Sequence, residues 1–189
     1  MKEFIQKHKL FSFYTALMLI IVFIAIFAPW LAPGDAFTSD MTKALQAPSA
    51  QHWFGTDKLG RDVLSRIIYG TQLSLFMGVS IVVIMVSIGT VIGAVAGYFG
   101  GKVEMVLMRL ADIMLSFPGV VLAIAIAGIL GGSIVNTILA LSVVGWAKYA
   151  RLVRSMTLKV RGEEYVTAAV MMGASTWTIL RRHIIPNIL

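Results

Sequence analysis

The chain has 189 residues, of which 58% are hydrophobic and only 13% charged, and its formal net charge is +7. Soluble domains average about 25% charged residues, so this composition excludes an ordinary soluble enzyme and favours a protein embedded in lipid. Cysteine is absent, which excludes disulfides, thiolate nucleophiles and thiolate metal sites. The high apolar content also excludes a disordered chain.

Four apolar stretches predict four transmembrane helices, since unpaired backbone is too costly in lipid for an open sheet. Their approximate bounds are 11–31, 73–98, 113–130 and 134–149. The first has no charged residue and as a helix reaches about 31 Å, the thickness of a bilayer core. A removable signal peptide is the alternative for this stretch, but the apolar run is long and no clear small-residue cleavage site follows Pro33.

The second stretch contains glycines at a spacing of four residues. They are Gly89, Gly93 and Gly97, with Gly78 further towards the N-terminus. In lipid, small residues at this spacing let two helix backbones approach closely. We therefore expect another helix to pack on this face.

The distribution of basic residues predicts the orientation of the chain. If the N-terminus is cytoplasmic and four spans alternate, twelve of the 16 Lys and Arg residues lie inside. The four on the outside are balanced by four aspartates, so the whole net charge falls on the cytoplasmic side. Cytoplasmic loops of membrane proteins carry such an excess of Lys and Arg, which predicts a cytoplasmic N-terminus.

The predicted external loop, 32–72, contains the compact sequence FGTDKLGRD. Its Gly, Thr and Asp residues are typical of a tight turn followed by a capped helix. We expect Thr56 or Asp57 to cap that helix and Asp62 to pair with Arg66 four residues later. A structured segment lying on the membrane surface and a ligand site are both compatible with this pattern.

The internal segment 150–189 is too polar to span a membrane and too apolar for a loop. Glu163 and Glu164 favour a helix start, because negative charge is stabilised at a helix N-terminus. The following helix, up to Met172, is expected to bury one apolar face. That face consists of Val166, Ala169, Val170 and Gly173.

A second short helix is predicted after Gly173-Ala174-Ser175, where glycine ends one helix and Ser175 caps the next. It covers 176–184 and is expected to be broken by Pro186. Two short helices at an angle make a docking surface for a partner protein. An amphipathic helix held by anionic lipid headgroups is the alternative interpretation.

No catalytic or cofactor-binding motif is present. The sequence at 97–103 lacks the glycine spacing and the hydroxyl residue of a phosphate-binding loop. The three histidines lie in separate segments, so we expect no metal site and no cofactor. Asp112 is the one acid at the edge of an apolar stretch, and we expect it to pair locally with Arg109.

The internal segment resembles the EAA loop of bacterial ABC importer permeases, whose pattern is E-A-A-x3-G-x9-I-x-L-P. With Gly173 on the glycine, Ala168 and Ala169 match the alanines and Pro186 matches the final proline. Thr167 stands at the glutamate position, and Glu163 and Glu164 lie just before it. The variant EYVTAAVMMGAS…RRHIIPN is similar to the dipeptide, oligopeptide and nickel branch of this family.

Two further segments resemble the same branch, in its second-permease (C-type) subunits. One is the external block around Gly55, Thr56, Asp57, Gly60, Arg61 and Asp62. The other is GYFGG…MRLADIMLSFPGVVLAI, at 97–124. The resemblance extends over about 11–189.

This resemblance implies an all-α, polytopic helical bundle like a type I ABC importer permease, in the inner membrane of a bacterium. It implies an N-terminal anchor with an external loop, 1–72, and a permease core, 73–189, with a cytoplasmic EAA loop at about 161–186. Family permeases have six spans, two of them after the EAA loop, whereas this sequence stops at Leu189. We therefore expect a fragment, a truncated reading frame, or a chain that needs a complementing piece.

The function implied is that of a permease subunit of an ATP-driven importer of di- or oligopeptides. ATP hydrolysis is then expected in separate subunits, so this chain is not itself an enzyme. The implied partners are a second permease, two ABC ATPases, an external solute-binding protein and membrane lipid, with no nucleic acid. The implied coupling residues are Glu163, Glu164, Thr167, Ala168, Ala169, Gly173, Ala174, Ser175 and Pro186. The alternatives are a nickel or metal-chelate importer and a membrane remnant that does not transport.

Overall fold

The computed structural model describes residues 9–188, and within this range the ordered elements are helical. The one extended feature among these residues is an isolated bridge between Thr56 and Asp62. The helices, numbered in chain order, are α1 (Lys9–Ile26), α2 (Ala28–Leu31), α3 (Val63–Phe99), α4 (Gly101–Ser116), α5 (Gly119–Leu130), α6 (Ile134–Arg161), α7 (Glu164–Met171), α8 (Thr176–Ile179) and α9 (Ile185–Ile188). The expected cytoplasmic charges Lys2 and Lys7 lie outside the described residues.

The all-α membrane architecture is confirmed, but the predicted number of four spans is not. By length and apolar composition, α1 and α3 are the described helices that qualify as single spans. The pair α4 and α5 qualifies together as a third. Helix α6 has 28 residues, but Lys148, Arg151 and Arg154 restrict its apolar part to its first half.

The third predicted stretch, 113–130, is broken into two helices that meet at an angle of 90°. The break lies at Phe117 and Pro118, between the end of α4 and the start of α5. Proline has no N–H to donate and disfavours helical geometry in the residue before it, and Phe117 is extended with φ −91° and ψ 146°. The 12 residues of α5 cover about 18 Å, which is too short to cross a bilayer core alone.

Helix α3 is longer than its apolar stretch. It has 37 residues and extends over about 55 Å, whereas a bilayer core is about 30 Å thick. The helix begins at Val63, so the last part of the predicted external loop, 63–72, belongs to α3 and is continuous with the span.

The chain forms two compact units, divided within α3 after Gly78. In the second unit, α6 packs against α4 and α5. The buried core of this unit is formed by apolar side chains of α3, α6, α7 and the C-terminal helices. They are Ala94, Val153, Val166, Ile179, Leu180, Ile184 and Ile188.

The predicted close packing along the glycine face of α3 is confirmed for three of the four glycines. A Cβ at Gly89 would lie 2.6 Å from the Cβ of Tyr149, and one at Gly97 would lie 2.7 Å from the Cβ of Thr157. Gly93 is equally close to α6. Gly78, in contrast, has no atom within 4 Å of its missing Cβ, so it takes no part in this contact.

Candidate functional site

The block 55–62 is a tight loop organised around the carboxylate of Asp57. Its Oδ1 accepts hydrogen bonds from the backbone amides of Leu59 at 2.8 Å and Arg61 at 3.0 Å. Its Oδ2 pairs with the Arg61 guanidinium at 2.8 Å and also with Arg66. Arg66 therefore pairs with Asp57, and the predicted pairing of Arg66 with Asp62 is wrong, because the turn brings Asp57 back beside the first turn of α3.

Asp62, and neither Thr56 nor Asp57, caps α3. Its Oδ1 accepts the backbone N–H of Ser65 at 2.7 Å, the usual N-cap geometry. Its Oδ2 lies 2.9 Å from Nδ1 of His52, and the residue is only 2% exposed. The buried Ser65 hydroxyl in turn accepts the N–H of Gly34 at 2.9 Å. The roles of His52 and Ser65 were not predictable from the sequence. Both residues lie outside the block 55–62, and they complete its hydrogen-bond network only in the folded chain.

Thr56 joins this loop to the preceding segment. Its hydroxyl accepts the N–H of Gln46 at 2.8 Å and donates to the carbonyl oxygen of Lys43. Its own N–H donates to the carbonyl oxygen of Gln46 at 3.1 Å. The residue is buried, so its role is to hold the loop together.

Both glycines of the external block have conformations that other residues rarely adopt. Gly55 has φ +71° and Gly60 has φ +73°. A Cβ at Gly60 would lie 1.8 Å from the carbonyl oxygen of Asp40, and one at Gly55 would lie 2.4 Å from that of Gln46. The predicted block residues Gly55, Thr56, Asp57, Gly60, Arg61 and Asp62 thus all lie together in one loop.

Hydrogen bonding keeps the acids of this loop ionised. For Asp62, burial opposes ionisation, but hydrogen bonds from Ser65 and His52 outweigh it and lower the pKa of the carboxyl. Burial likewise opposes ionisation of Asp57, and the bonds from Arg61, Leu59 and Arg66 lower its pKa. For Asp35, the Thr38 hydroxyl and nearby backbone amides lower the pKa to about 2.

The predicted coupling segment, 163–175, forms α7 and a turn that ends in a glycine cap. Gly173 has φ +79°. Its N–H donates to the carbonyl oxygen of Val170, and the N–H of Ala174 donates to that of Ala169, both at 3.0 Å. These two bonds define a Schellman motif, in which glycine adopts the left-handed conformation.

The next helix, α8, begins as predicted at its N-cap Ser175. The Ser175 side chain accepts the N–H of Thr178 at 3.3 Å. The chain then stays helical past Pro186, and the prediction that this proline breaks the helix is wrong. A π-helical turn at Leu180–Ile184 precedes α9, and its wider register accommodates a proline that has no N–H to donate.

The coupling segment has one face anchored in the core and another exposed. Val166 and Ala169 are buried, whereas Val170 and Gly173, expected on the same face, are exposed. The exposed residues between positions 163 and 177 are Glu163, Glu164, Tyr165, Thr167, Ala168, Val170, Met171, Met172, Gly173, Ser175, Thr176 and Trp177. Met171 and Met172 are 84% and 81% exposed. Of the three predicted coupling alanines, Ala168 is exposed, Ala174 is partly buried and Ala169 is buried.

Two ion pairs join α4 to α6. Asp112 pairs with Arg151, so the predicted local pair with Arg109 is wrong. Glu104 pairs with Arg154 one turn further along α6. Neither pair is recognisable from the sequence, because the two members are separated by 39 and 50 residues and meet only when the helices pack.

Within residues 9–188, no group of three or more His, Asp or Glu side chains could hold a metal ion. The described histidines, His52 and His183, make separate contacts: His52 with Asp62, and His183 with the ring of Tyr165. The described residues therefore contain an ordered loop just before α3 in the first unit, and a partly apolar helical surface in the second unit.

Two protein families match the sequence of this chain. Residues 89–189 match the family described as the binding-protein-dependent transport system inner membrane component. Residues 5–48 match the N-terminal transmembrane domain of oligopeptide transport permease C. The first match covers more than half of the chain, including α4, α5, α6 and the coupling segment.

Curated relatives are similar over nearly the whole chain. The dipeptide transport system permease protein DppC of Alkalihalophilus pseudofirmus is 42% identical over 97% of this chain and 60% of its own length. The probable D,D-dipeptide transport system permease protein DdpC of Escherichia coli K12 is 43% identical over 90% of this chain and 57% of its own length. A glutathione transport system permease protein, GsiD, of Escherichia coli O6 strain 536 is 42% identical over 98% of this chain and 61% of its own length.

The fold and these matches define the helical membrane fold of a transport permease. The chain belongs to the family of binding-protein-dependent transport system inner membrane components. It spans about three fifths of the length of the curated relatives that it matches.

Proposed function

We propose that this chain is part of the permease of an ATP-driven importer of di- or oligopeptides, and that its cytoplasmic segment 163–175 docks on an ATPase subunit. The observation that carries the proposal is the exposed surface of this segment, which includes Ala168, Met171 and Met172 and is held in place by buried Val166 and Ala169. A protein-binding surface needs such exposed apolar side chains on a rigid base.

A peptide cargo is supported by the names of the relatives. Those at 41–43% identity are permeases for dipeptides, D,D-dipeptides and glutathione, all of them peptides or peptide-like. We therefore place peptides before nickel or metal chelates as the cargo. An external solute-binding protein and a second permease subunit are the further partners of this proposal, and the ATP is hydrolysed outside this chain.

The division into an anchor with external loop, 1–72, and a permease core, 73–189, is retained as part of the proposal. The proposed orientation has the loop containing Asp57 and Asp62 outside the cell and the end of α6 inside. A chain without cysteine allows a direct test. We expect a cysteine at Lys58 to react with a membrane-impermeant maleimide in intact cells, and one at Lys159 to react only after the cells are opened. The reverse pattern would contradict the orientation.

Association with the ATPase is tested by a pull-down from detergent-solubilised membranes, with the chain tagged and expressed beside its neighbouring transporter genes. We expect an ABC ATPase and a second permease to co-purify. Gly173→Pro should abolish recovery of the ATPase, because proline cannot adopt the positive φ that ends α7. Gly173→Asn is the matched control, since asparagine tolerates this conformation, and it should retain the ATPase.

If Gly173→Pro retains the ATPase as well as the unaltered chain does, the coupling segment is not the docking surface. If neither partner is recovered with a stably inserted chain, this polypeptide does not assemble a transporter.

A further inference from the structure

A cavity of about 560 Å³ lies in the first unit, beside the N-terminal part of α3. Its lining includes two arginines and three aromatic side chains. They are Arg61, Arg66, Phe37, Tyr69 and Phe76. Phe37 and Tyr69 pack edge to face with their ring centroids 5.0 Å apart, so one wall of the cavity is formed by a fixed aromatic pair.

The polar end of the cavity carries excess positive charge. Arg61 and Arg66 share the single carboxylate of Asp57, and no other acid pairs with them in the part of the chain that the structure describes. One positive charge is therefore left uncompensated. The Arg66 side chain is also 41% exposed, so its guanidinium has donors available for an anion. Guanidinium groups bind phosphate oxygens through paired hydrogen bonds.

The other end of the cavity is apolar and lies where the membrane span begins. Leu73, the first residue of the long apolar stretch, and Phe76 line it, and both are exposed. Ten residues of helix separate Arg66 from Phe76, which corresponds to about 15 Å along α3. Tyr69 lies between them, at the level where aromatic rings collect at membrane interfaces.

We propose that this cavity binds a glycerophospholipid from the leaflet on the same side of the membrane. The phosphodiester lies against Arg61 and Arg66, and an acyl chain follows α3 along Leu73 and Phe76. The cavity lies at the start of the membrane span, and its cationic and apolar ends are about 15 Å apart along α3. Both features match a lipid whose long axis is perpendicular to the membrane plane. Free inorganic phosphate supplies the same charge but leaves the apolar end empty.

A lipid bound at this site would anchor the loop 55–62 to the membrane surface. Arg61 and Arg66 are also the residues that hold Asp57 and thereby the turn at Gly60. A bound phosphodiester would be a second anion for the same two side chains. The proposal does not depend on the coupling segment or on the identity of the cargo.

The test uses the full-length chain in its native transporter complex, purified in mild detergent and stripped of lipid. The complex is titrated with dioleoyl phosphatidylglycerol, and the occupancy of bound lipid is measured by native mass spectrometry. We expect Arg66→Gln to weaken binding of one lipid about tenfold, because one charge-assisted interaction is lost. Lys58→Gln removes the same charge from an exposed position in the same loop outside the cavity and should leave binding unchanged.

A second variant separates lipid binding from the integrity of the loop. Phe76→Ala does not touch the Asp57 network and should also weaken phosphatidylglycerol binding, with an unchanged unfolding temperature. Millimolar inorganic phosphate should not displace the lipid. Equal lipid occupancy in the unaltered complex, Arg66→Gln and Phe76→Ala would overturn the proposal. So would displacement by phosphate alone, or protection of the cavity residues by another protein segment in the lipid-free complex.

Discussion

Gly93 of α3 and Ala150 of α6 lie so close together that a Cβ at position 93 would be 2.5 Å from the carbonyl oxygen of Ala150. Valine at this position forces the two helices apart, and such overpacking costs about 1–3 kcal/mol. We therefore expect Gly93→Val to lower the unfolding temperature of the detergent-solubilised protein. Gly78→Val is the matched control, because it lies in the same helix with no atom within 4 Å of the new Cβ. Equal unfolding temperatures for the two variants would contradict this packing.

Gly60 packs the loop 55–62 closely against Asp40. Alanine there is strained by the positive φ, at about 1–2 kcal/mol, and its Cβ would collide with the Asp40 carbonyl oxygen. We expect Gly60→Ala to open the loop and to speed tryptic cleavage after Lys58 and Lys43. Gly70→Ala, which has no neighbour within 4 Å, should be cleaved at the rate of the unaltered chain. A loop that stays resistant in Gly60→Ala would contradict the structure.

The ionised state of Asp62 makes the loop sensitive to acid. Its folded-state pKa is lowered, so its contribution to stability is present above the unfolded value of about 3.9 and is lost as the pH falls through the folded value. We expect amide hydrogen exchange at 62–66 to be slow from neutral pH down to about pH 4 and, after correction for intrinsic rates, to accelerate below it. Asp62→Asn keeps a capping oxygen but does not titrate.

The acid-induced acceleration of amide exchange should therefore be smaller in Asp62→Asn. Protonation of Asp57, whose pKa is also lowered, accounts for the acceleration that remains. Exchange that changes with pH to the same extent in both proteins would show that Asp62 does not control the loop.

The two ion pairs between α4 and α6 differ in burial, which predicts unequal strengths. The side chains of Arg151 and Asp112 are 53% and 46% exposed, and those of Arg154 and Glu104 are 36% and 22% exposed. Exposed pairs contribute about 0.2–1 kcal/mol, and water screens the more buried pair less. Double-mutant cycles with alanine should give a larger coupling energy for Arg154 and Glu104. The opposite order would contradict the packing of α4 on α6.

Much of this fold follows from local sequence signals. The glycine face of α3, the Schellman turn at Gly173 and the Ser175 cap were predictable because each depends on residues a few positions apart. Loop residues 55–62 were recognised as a unit for the same reason. Their partners His52 and Ser65, and the pairing of Asp112 with Arg151, were not predictable, because tertiary packing selects among several nearby opposite charges.

Two predictions that the structure contradicts both concern the effect of a proline on a helix. Pro118 was expected within a continuous span, but it separates α4 from α5 with a sharp bend. Pro186 was expected to break a helix, but the π-helical turn before it accommodates the missing N–H. Hydropathy alone does not distinguish these outcomes, because the neighbouring packing decides whether the helix bends or widens.

The proposed docking of α7 on an ATPase is tested most directly by cross-linking. Because the chain has no cysteine, Ala168→Cys gives a single site for a benzophenone maleimide on the exposed side of α7. Ser155→Cys is an exposed control on α6, about 9 Å along the helix from its end at Arg161. In membranes that contain the assembled transporter, we expect the probe at 168 to capture the ATPase subunit and the probe at 155 to capture little or none. Equal capture from both sites, or none from 168 in a complex that contains the ATPase, would contradict docking through the coupling segment.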